Sequence, residues 1–390
     1  MWWFGGRTNH LPEATGPSAP GCMDVMLDYS QDGIFVRLYY PTNNNKTDSN
    51  NSNRWLSWIP DDNYIIGIAK VLMSFTFVIR LAFWWSSGVI PVIYGGRAKV
   101  DKKLKCIVLS HGLGGHRSLY SNTCCELASR GFLVVALEHR DGSACYSYYY
   151  KSKEDAQNRV RTEVEYEPFA LGEKHHKQRK RQVDYRAKEC GKAVEFLVQL
   201  NNGTVPHNVI SDVPTKRQID FRLEDFVGKL DLDSFTMAGH SFGGATALLT
   251  LSQRPELKQG VLLDPWMYPI KNDKLDEKLE QPMIFINTQT FHIASNTQAM
   301  SQFLTGSHRS MYTILHTTHE SQTDTVLLVG YWLNWFMKKL EPSVGLKINN
   351  SLILEFLENY VGSPCDVADC KQYLEEQRVN LEVGLTKPWA

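Results

Sequence analysis

A serine sits in a Gly-x-Ser-x-Gly setting within Met237-Ala238-Gly239-His240-Ser241-Phe242-Gly243-Gly244-Ala245. The residues before it, Asp233 to Met237, have strand character, and Ala245 to Leu251 continue as a helix. A serine on so tight a strand-to-helix turn has its hydroxyl lifted clear of the sheet, available as a nucleophile. Gly239 and Gly243 keep side chains away from the neighbouring strand and helix at a strained turn. Since a serine hydroxyl is weakly nucleophilic at neutral pH, it needs a base, an acid to orient that base, and donors for an oxyanion. Candidates follow in the order Ser…Asp…His. Asp264 ends the apolar run Gly260-Val261-Leu262-Leu263, and His319 lies in His316-Thr317-Thr318-His319-Glu320 after the run Met311 to Leu315. His316 and His292 remain alternatives for the base.

These groups need a scaffold, and its grammar is visible from Leu104 onward. Apolar runs at Cys106-Ile107-Val108-Leu109, Phe132 to Leu137, Gly260 to Leu263 and Met283 to Asn287 read as buried parallel strands. Helical stretches at 119–130 and 178–200 alternate with them, the second from Val183, Ala187, Cys190, Val194 and Leu197 at helical spacing. The first buried strand runs into Ser110-His111-Gly112-Leu113-Gly114-Gly115, a glycine-rich loop whose backbone N–H groups can face a substrate unobstructed. The expected fold is therefore α/β: an α/β-hydrolase fold with a central, mostly parallel sheet flanked by helices. Residues 1–390 read as a single domain with an early antiparallel strand over 22–40, a lid-like insertion at 142–180 and a C-terminal tail at 360–390. Glu138-His139-Arg140-Asp141 reads as a strand-end cluster that organises a loop, and His175-His176 as solvated surface.

Composition narrows the class. The 390 residues are 43% hydrophobic, enough for a large core, and 42 basic residues balance 42 acidic ones. Nothing in that balance points to nucleic acid. Eight cysteines show no Cys-x-x-Cys spacing, and no metal site emerges with the twelve histidines. Reduced thiols and the lack of a secretory pattern at Met1-Trp2-Trp3-Phe4 favour a cytoplasmic protein, with peripheral membrane association and secretion both open. Asn45, Asn50, Asn202 and Asn349 begin glycosylation-acceptor triplets.

One stretch is unusually apolar. Tyr64 to Trp85 is interrupted by Lys70 and Arg80, too often for a membrane span of about 20 residues. It reads either as a helix packed on the core or as an N-terminal amphipathic, lipid-facing segment. In the second case Phe75, Phe83, Trp84 and Trp85 insert while the two cations stay at headgroup level.

Several segments taken together resemble the serine-dependent platelet-activating-factor acetylhydrolases, the group VII phospholipases A2. They are Thr15-Gly16-Pro17, Gly21-Cys22-Met23-Asp24, Arg37-Leu38-Tyr39-Tyr40-Pro41, Ser110-His111-Gly112-Leu113-Gly114, Leu127 to Phe132, Glu138 to Asp141, Arg186 to Cys190, Gly239 to Thr246 and Asp264-Pro265-Trp266-Met267. The resemblance runs from about Gly16 to Leu354. It implies Ser241 as nucleophile, Asp264 as acid, His319 as base, and the N–H groups of Leu113 and Phe242 as the oxyanion hole. It also implies a calcium-independent hydrolysis of the sn-2 acetyl, or short or oxidised acyl, ester of a phospholipid, with no cofactor. The implied partner is a membrane or lipid-particle surface, met by the 64–85 region and by Tyr331, Trp332 and Trp335 on a helix after His319. Pro265 stands where that family usually has a small residue, and residues 150–180 match it poorly. A broader carboxylesterase or neutral lipase, and a non-catalytic lipid-binding relative, are the competing readings.

Overall fold

The computed structural model describes residues 10–86, 88–305, 308–330 and 338–385, apart from the side chains at 49, 83–86, 173 and 305. The strands used below are β1 (Pro20–Leu27), β2 (Ile34–Pro41), β3 (Ile93–Tyr94), β4 (Leu104–Ser110), β5 (Phe132–Leu137), β6 (Tyr146–Tyr149), β7 (Thr162–Glu165), β8 (Leu230–His240), β9 (Leu257–Leu263), β10 (Met283–Thr288), β11 (Arg309–Ile314) and β12 (Leu381–Val383). The helices used below are α1 (Asp62–Val71), α2 (Thr76–Ser86), α3 (Ser121–Ser129), α4 (Glu173–Asn201), α5 (Phe242–Gln253), α6 (Thr325–Val329), α7 (Pro342–Val361) and α8 (Ala368–Glu376).

Ten strands form one sheet in the order β12-β11-β10-β9-β8-β4-β5-β2-β1-β3. The six from β11 to β5 are mutually parallel, whereas β12, and β2 against β5, pair antiparallel. This is the mostly parallel sheet that the sequence predicts. Both faces are covered, which is why its central strands are continuous apolar runs. Alternation then sorts side chains between two cores. Cys106, Val108 and Met237 join Val183, Val194 and Leu248 beneath α4 and α5, while Ile107, Leu109 and Ala238 join Cys124, Ile353 and Leu357 beneath α3 and α7.

Several elements differ from the sequence reading. The single strand expected over 22–40 is the hairpin β1–β2; β2 pairs with β1 and β5 along its edges, and its faces are buried by the cores on the two sides of the sheet. Residues 64–85 are two helices, not one, crossing at 116° around Leu72–Phe75. Met73 takes a positive φ of 48° there. Segment 142–180 contains the hairpin β6–β7, and Tyr146, Tyr148 and Tyr150 form a third buried cluster with Tyr64 of α1 and Phe35 of β2. His175 is half-buried at the surface, its ring stacking on Tyr268 at 5.5 Å with Trp266 at 6.0 Å. Residues 360–385 fold back as α8 and the edge strand β12. Asn349 is fully buried in α7, where the folded chain leaves no room for a glycan.

Candidate functional site

β8 carries the chain straight into Ser241, which adopts φ 57° and ψ −118° before α5 begins at Phe242. Such a conformation costs a non-glycine residue about 1–3 kcal/mol, so the surroundings must impose it. They do so through the Ser241 backbone. Its N–H donates to Leu263 O at 2.9 Å, and its carbonyl accepts from Gly244 and Trp266 N–H, each at 2.9 Å. The flanking glycines are obligatory. A Cβ on Gly239 would lie 2.0 Å from Gly243 O, and one on Gly243 would lie 2.1 Å from Ser110 O.

Asp264 closes β9 and is fully buried. Its Oδ1 accepts the Thr288 N–H at 2.7 Å, and its Oδ2 accepts the Thr288 hydroxyl and His319 Nδ1, the latter at 3.0 Å. His319 opens a short 3₁₀ turn, pinned by a capping box between Thr318 and Ser321 and by Gln322 Nε2 on Ile286 O at 2.7 Å. Phe291 stacks on the imidazole at 3.8 Å, and the His240 ring lies 4.5 Å away. The alternatives are placed differently. His316 has a positive φ and its N–H goes to Gln289 Oε1; His292 is a buried ring that desolvation pushes toward its neutral form. Pro265 follows Asp264, itself at a positive φ of 42°, and its carbonyl accepts from Asn296 Nδ2 at 3.0 Å.

The loop after β4 approaches the serine closely, a Cβ on Gly112 falling 3.4 Å from Ser241 Cβ. Three of its N–H groups are committed: Gly112 to Tyr120 Oη at 2.9 Å, Gly114 to Ser143 O at 2.8 Å and Gly115 to Gly112 O at 3.1 Å. The Leu113 N–H has no partner among the described residues. The Phe242 N–H, first in α5, likewise has no intrahelical acceptor. The site thus offers two free donors, one from each side of the serine.

Charges organise the loop from beneath, as the strand-end reading of Glu138 to Asp141 anticipates. Arg186, fully buried, donates from Nη1 to His111 O at 2.5 Å and from Nε to Ser143 Oγ at 2.8 Å. It pairs with Asp141 at 3.1 Å, and its guanidinium lies 4.5 Å from the Phe242 ring centre. His139 bridges Ser110 Oγ at 2.8 Å and Glu189 Oε2 at 2.6 Å. Burial, reinforced by the Arg186 charge, holds His111 and His139 well below the usual histidine range. Desolvation and the neighbouring His319 do the same to His240. Neither this hydroxyl network nor the Thr288 contact is marked in the sequence.

His240, Asp264 and His319 are the one grouping of three metal-ligating side chains among the described residues. Asp264 already accepts from Thr288 and His319, and His240 Nδ1 is engaged by Tyr120 at 2.8 Å. These hydrogen bonds occupy Asp264 and one nitrogen of each ring, while His240 Nε2 is buried without a partner among the described residues.

Around the α1–α2 bend lies an apolar ridge. Met73 is 92% exposed, Phe75 74% and Phe77 68%, and the two phenylalanine rings stack at 5.9 Å. Lys70 pairs with Glu165 and Arg80 with Asp62 alongside it, each at 2.8 Å. Phe83, Trp84 and Trp85 belong to α2, but their side chains lie outside the described residues, as do Tyr331, Trp332 and Trp335 altogether. Among the described residues no single helix is long and apolar enough to cross a membrane.

Known proteins match this chain over nearly its whole length. The family described as platelet-activating factor acetylhydrolase, isoform II, matches residues 5–381. A Bos taurus platelet-activating factor acetylhydrolase is 32% identical over 380 residues, covering 96% of this chain and 82% of the relative. A Schizosaccharomyces pombe putative phospholipase A2 is 25% identical, covering 90% and 89%. Among solved structures, a ferulic acid esterase from Streptomyces cinnamoneus superimposes with a TM-score of 0.58 over 90% of this chain and 92% of its own, at 16% identity, a likeness of fold alone.

Proposed function

This chain belongs to the platelet-activating factor acetylhydrolase family and is a phospholipid ester hydrolase, and we propose that Ser241, Asp264 and His319 carry out its chemistry on an sn-2 acetyl or short acyl ester. The observation that carries the proposal is the His319 Nδ1–Asp264 Oδ2 hydrogen bond of 3.0 Å beside a serine held at positive φ. With Nδ1 donating to the buried carboxylate, Nε2 of His319 is the acceptor for the Ser241 proton. Ser241 Oγ then attacks the ester carbonyl, and the oxyanion is received by the N–H groups of Leu113 and Phe242. The tetrahedral intermediate collapses, His319 returns the proton to the departing lysophospholipid oxygen, and water activated by His319 cleaves the acyl-serine. Nucleophile and oxyanion donors come from the chain itself, so the reading calls for no calcium.

The substrate would be met at a lipid surface through the ridge of Phe75 and Phe77, and the same role is proposed for Phe83, Trp84, Trp85, Tyr331, Trp332 and Trp335. The exposure of the first two supports this. A reducing, intracellular location is the companion proposal, supported by eight free cysteines of which seven are buried. Recovery of the native protein from the culture medium rather than from cells would overturn it.

The deciding experiment compares sn-2 acetyl with sn-2 long-acyl phosphatidylcholine, in EDTA, for the wild type and Ser241→Ala. Expected is a preference for acetyl, indifference to EDTA and a loss on the order of 10⁶ in kcat for the variant. Preference for the long chain would overturn the substrate, and an EDTA-sensitive rate or an active Ser241→Ala would overturn the mechanism.

A further inference from the structure

The two proposed oxyanion donors come from different segments: Leu113 follows β4, and Phe242 opens α5. No covalent geometry sets the distance between them. The phenol of Tyr120 lies between the segments. Its oxygen accepts the Gly112 N–H at 2.9 Å and is 2.8 Å from His240 Nδ1. Gly112 immediately precedes Leu113, and His240 stands two residues before Phe242. One hydroxyl therefore joins both donor-bearing segments.

A backbone N–H only donates, so the Tyr120 oxygen is the acceptor toward Gly112. Its second contact, with His240 Nδ1, is a single hydrogen bond between the phenol and the ring. Burial and the neighbouring His319 keep this ring neutral. Neutrality matters because the His319 ring, 4.5 Å away, becomes positive when it takes the serine proton. Space is also fitted to the bridge. A Cβ at Gly112 would stand 3.2 Å from His240 Nδ1 and 3.3 Å from Tyr120 Oη, and Tyr120 itself is only 3% exposed. Other contacts hold the loop's two ends, Arg186 on His111 O and Ser143 O on the Gly114 N–H. Tyr120 is the side chain that ties the loop's middle to the elbow.

We propose that Tyr120 is a positioning residue for the ester hydrolysis, fixing the separation of the Leu113 and Phe242 N–H groups and the placement of the His240 ring. This rests on the assignment of those two groups as oxyanion donors. Oxyanion donors act more strongly on the transition state than on bound substrate, so the bridge contributes to kcat and leaves KM alone.

The test is Tyr120→Phe on a soluble ester and on sn-2 acetyl phosphatidylcholine, with Ser241→Ala alongside and a thermal melt of each. Tyr120→Phe is expected to lower kcat roughly 10- to 100-fold with KM unchanged, below the about 10²–10³ that loss of a whole donor brings. His240→Leu removes the other end of the bridge and should lose kcat similarly. The double variant should be no slower than the slower single one, since both delete one interaction. If Tyr120→Phe does not fold, the kcat-specific loss must still appear in His240→Leu. A raised KM with unchanged kcat, or multiplicative losses in the double variant, would overturn the proposal. A dead Ser241→Ala beside a wild-type rate for Tyr120→Phe refutes the Tyr120 role alone, whereas an active Ser241→Ala refutes the underlying reading.

Discussion

Replacing Thr288 by valine would remove one hydroxyl from beneath the proposed acid and little else, because the two side chains are nearly isosteric. Asp264 is fully buried, and Thr288 supplies two of the three hydrogen bonds described for it, through its N–H at 2.7 Å and through its hydroxyl. The third comes from His319 at 3.0 Å. The valine variant keeps the backbone bond and loses the hydroxyl, which shares Oδ2 with the histidine. A hydrogen bond to a charged group contributes about 1.5–3 kcal/mol net. At about 1.4 kcal/mol per decade, the carboxylate's hold on the imidazole should weaken by roughly 10- to 100-fold in kcat/KM. Asp264→Asn sets the upper bound, near 10⁴, because an amide can select the wrong tautomer. The measurement is steady-state hydrolysis of p-nitrophenyl acetate in free solution, where docking on lipid plays no part, with a thermal melt of the same sample. A lowered melting temperature with an unchanged rate would mean Thr288 only supports the fold. A loss as large as that of Asp264→Asn would mean the hydroxyl does something other than seat the carboxylate.

Two further outcomes follow from the same geometry. Phe75→Asp and Phe77→Asp should each weaken binding to phosphatidylcholine liposomes at least 10-fold, since full burial of a phenylalanine is worth about 1.5–3 kcal/mol, and Trp332→Ala and Trp335→Ala should act in the same direction. Hydrolysis of p-nitrophenyl acetate should not change in any of the four, and equal losses in both assays would refute the lipid-facing role. Asp24→Asn should destabilise the fold by about 3–5 kcal/mol in urea unfolding, because it leaves Arg37 and Arg117 buried with a partner missing. Burial alone would raise the Asp24 carboxyl, but Arg117 and Arg37 outweigh it and hold it well below the usual carboxylate range. Its stabilisation is therefore complete above the unfolded pKa of about 4 and fades as pH falls below that. The variant should lose that part of the acid dependence, and an unchanged acid profile would refute the assignment.

What the sequence revealed was local. The elbow is legible because its glycines, its strand and its helix are contiguous, and the order Ser…Asp…His is legible because each follows an apolar run. The contacts that seat these groups join residues far apart: Thr288 and Asp264 are separated by 24 positions, Arg186 and His111 by 75, Tyr120 and His240 by 120. No spacing rule reaches that far. The hairpin at 146–165 was obscured by its five-residue aromatic stretch, although Tyr146, Tyr148 and Tyr150 alternate inward as strand residues do. The bend between α1 and α2 had no punctuation to announce it. Residues 72–75 contain neither proline nor glycine, and Met73 takes the positive φ instead.

Buried charge beneath the donor loop has a directional use that stability alone does not explain. Arg117, just after the loop, is held by Glu138 at 2.5 Å and Asp24 at 3.1 Å, and Ser110, just before it, is held by His139. Arg186 holds His111 O, and Ser143 O receives the Gly114 N–H. Apolar side chains of equal volume would commonly serve stability as well or better, since desolvating ions offsets much of their attraction. They would not fix peptide planes. Hydrogen bonds do, and a donor fixed before substrate arrives needs no reorganisation when charge develops on the ester oxygen. Glu138 also accepts from Tyr64 of α1 at 2.7 Å, and a Cβ on Gly114 would fall 2.5 Å from Val71, the last residue of that helix. The helix that leads into the exposed apolar ridge is thus packed directly on the loop proposed to receive the oxyanion. A substitution that shifts α1 should consequently alter kcat as well as lipid binding, whereas one confined to the exposed rings of Phe75 and Phe77 should alter binding alone.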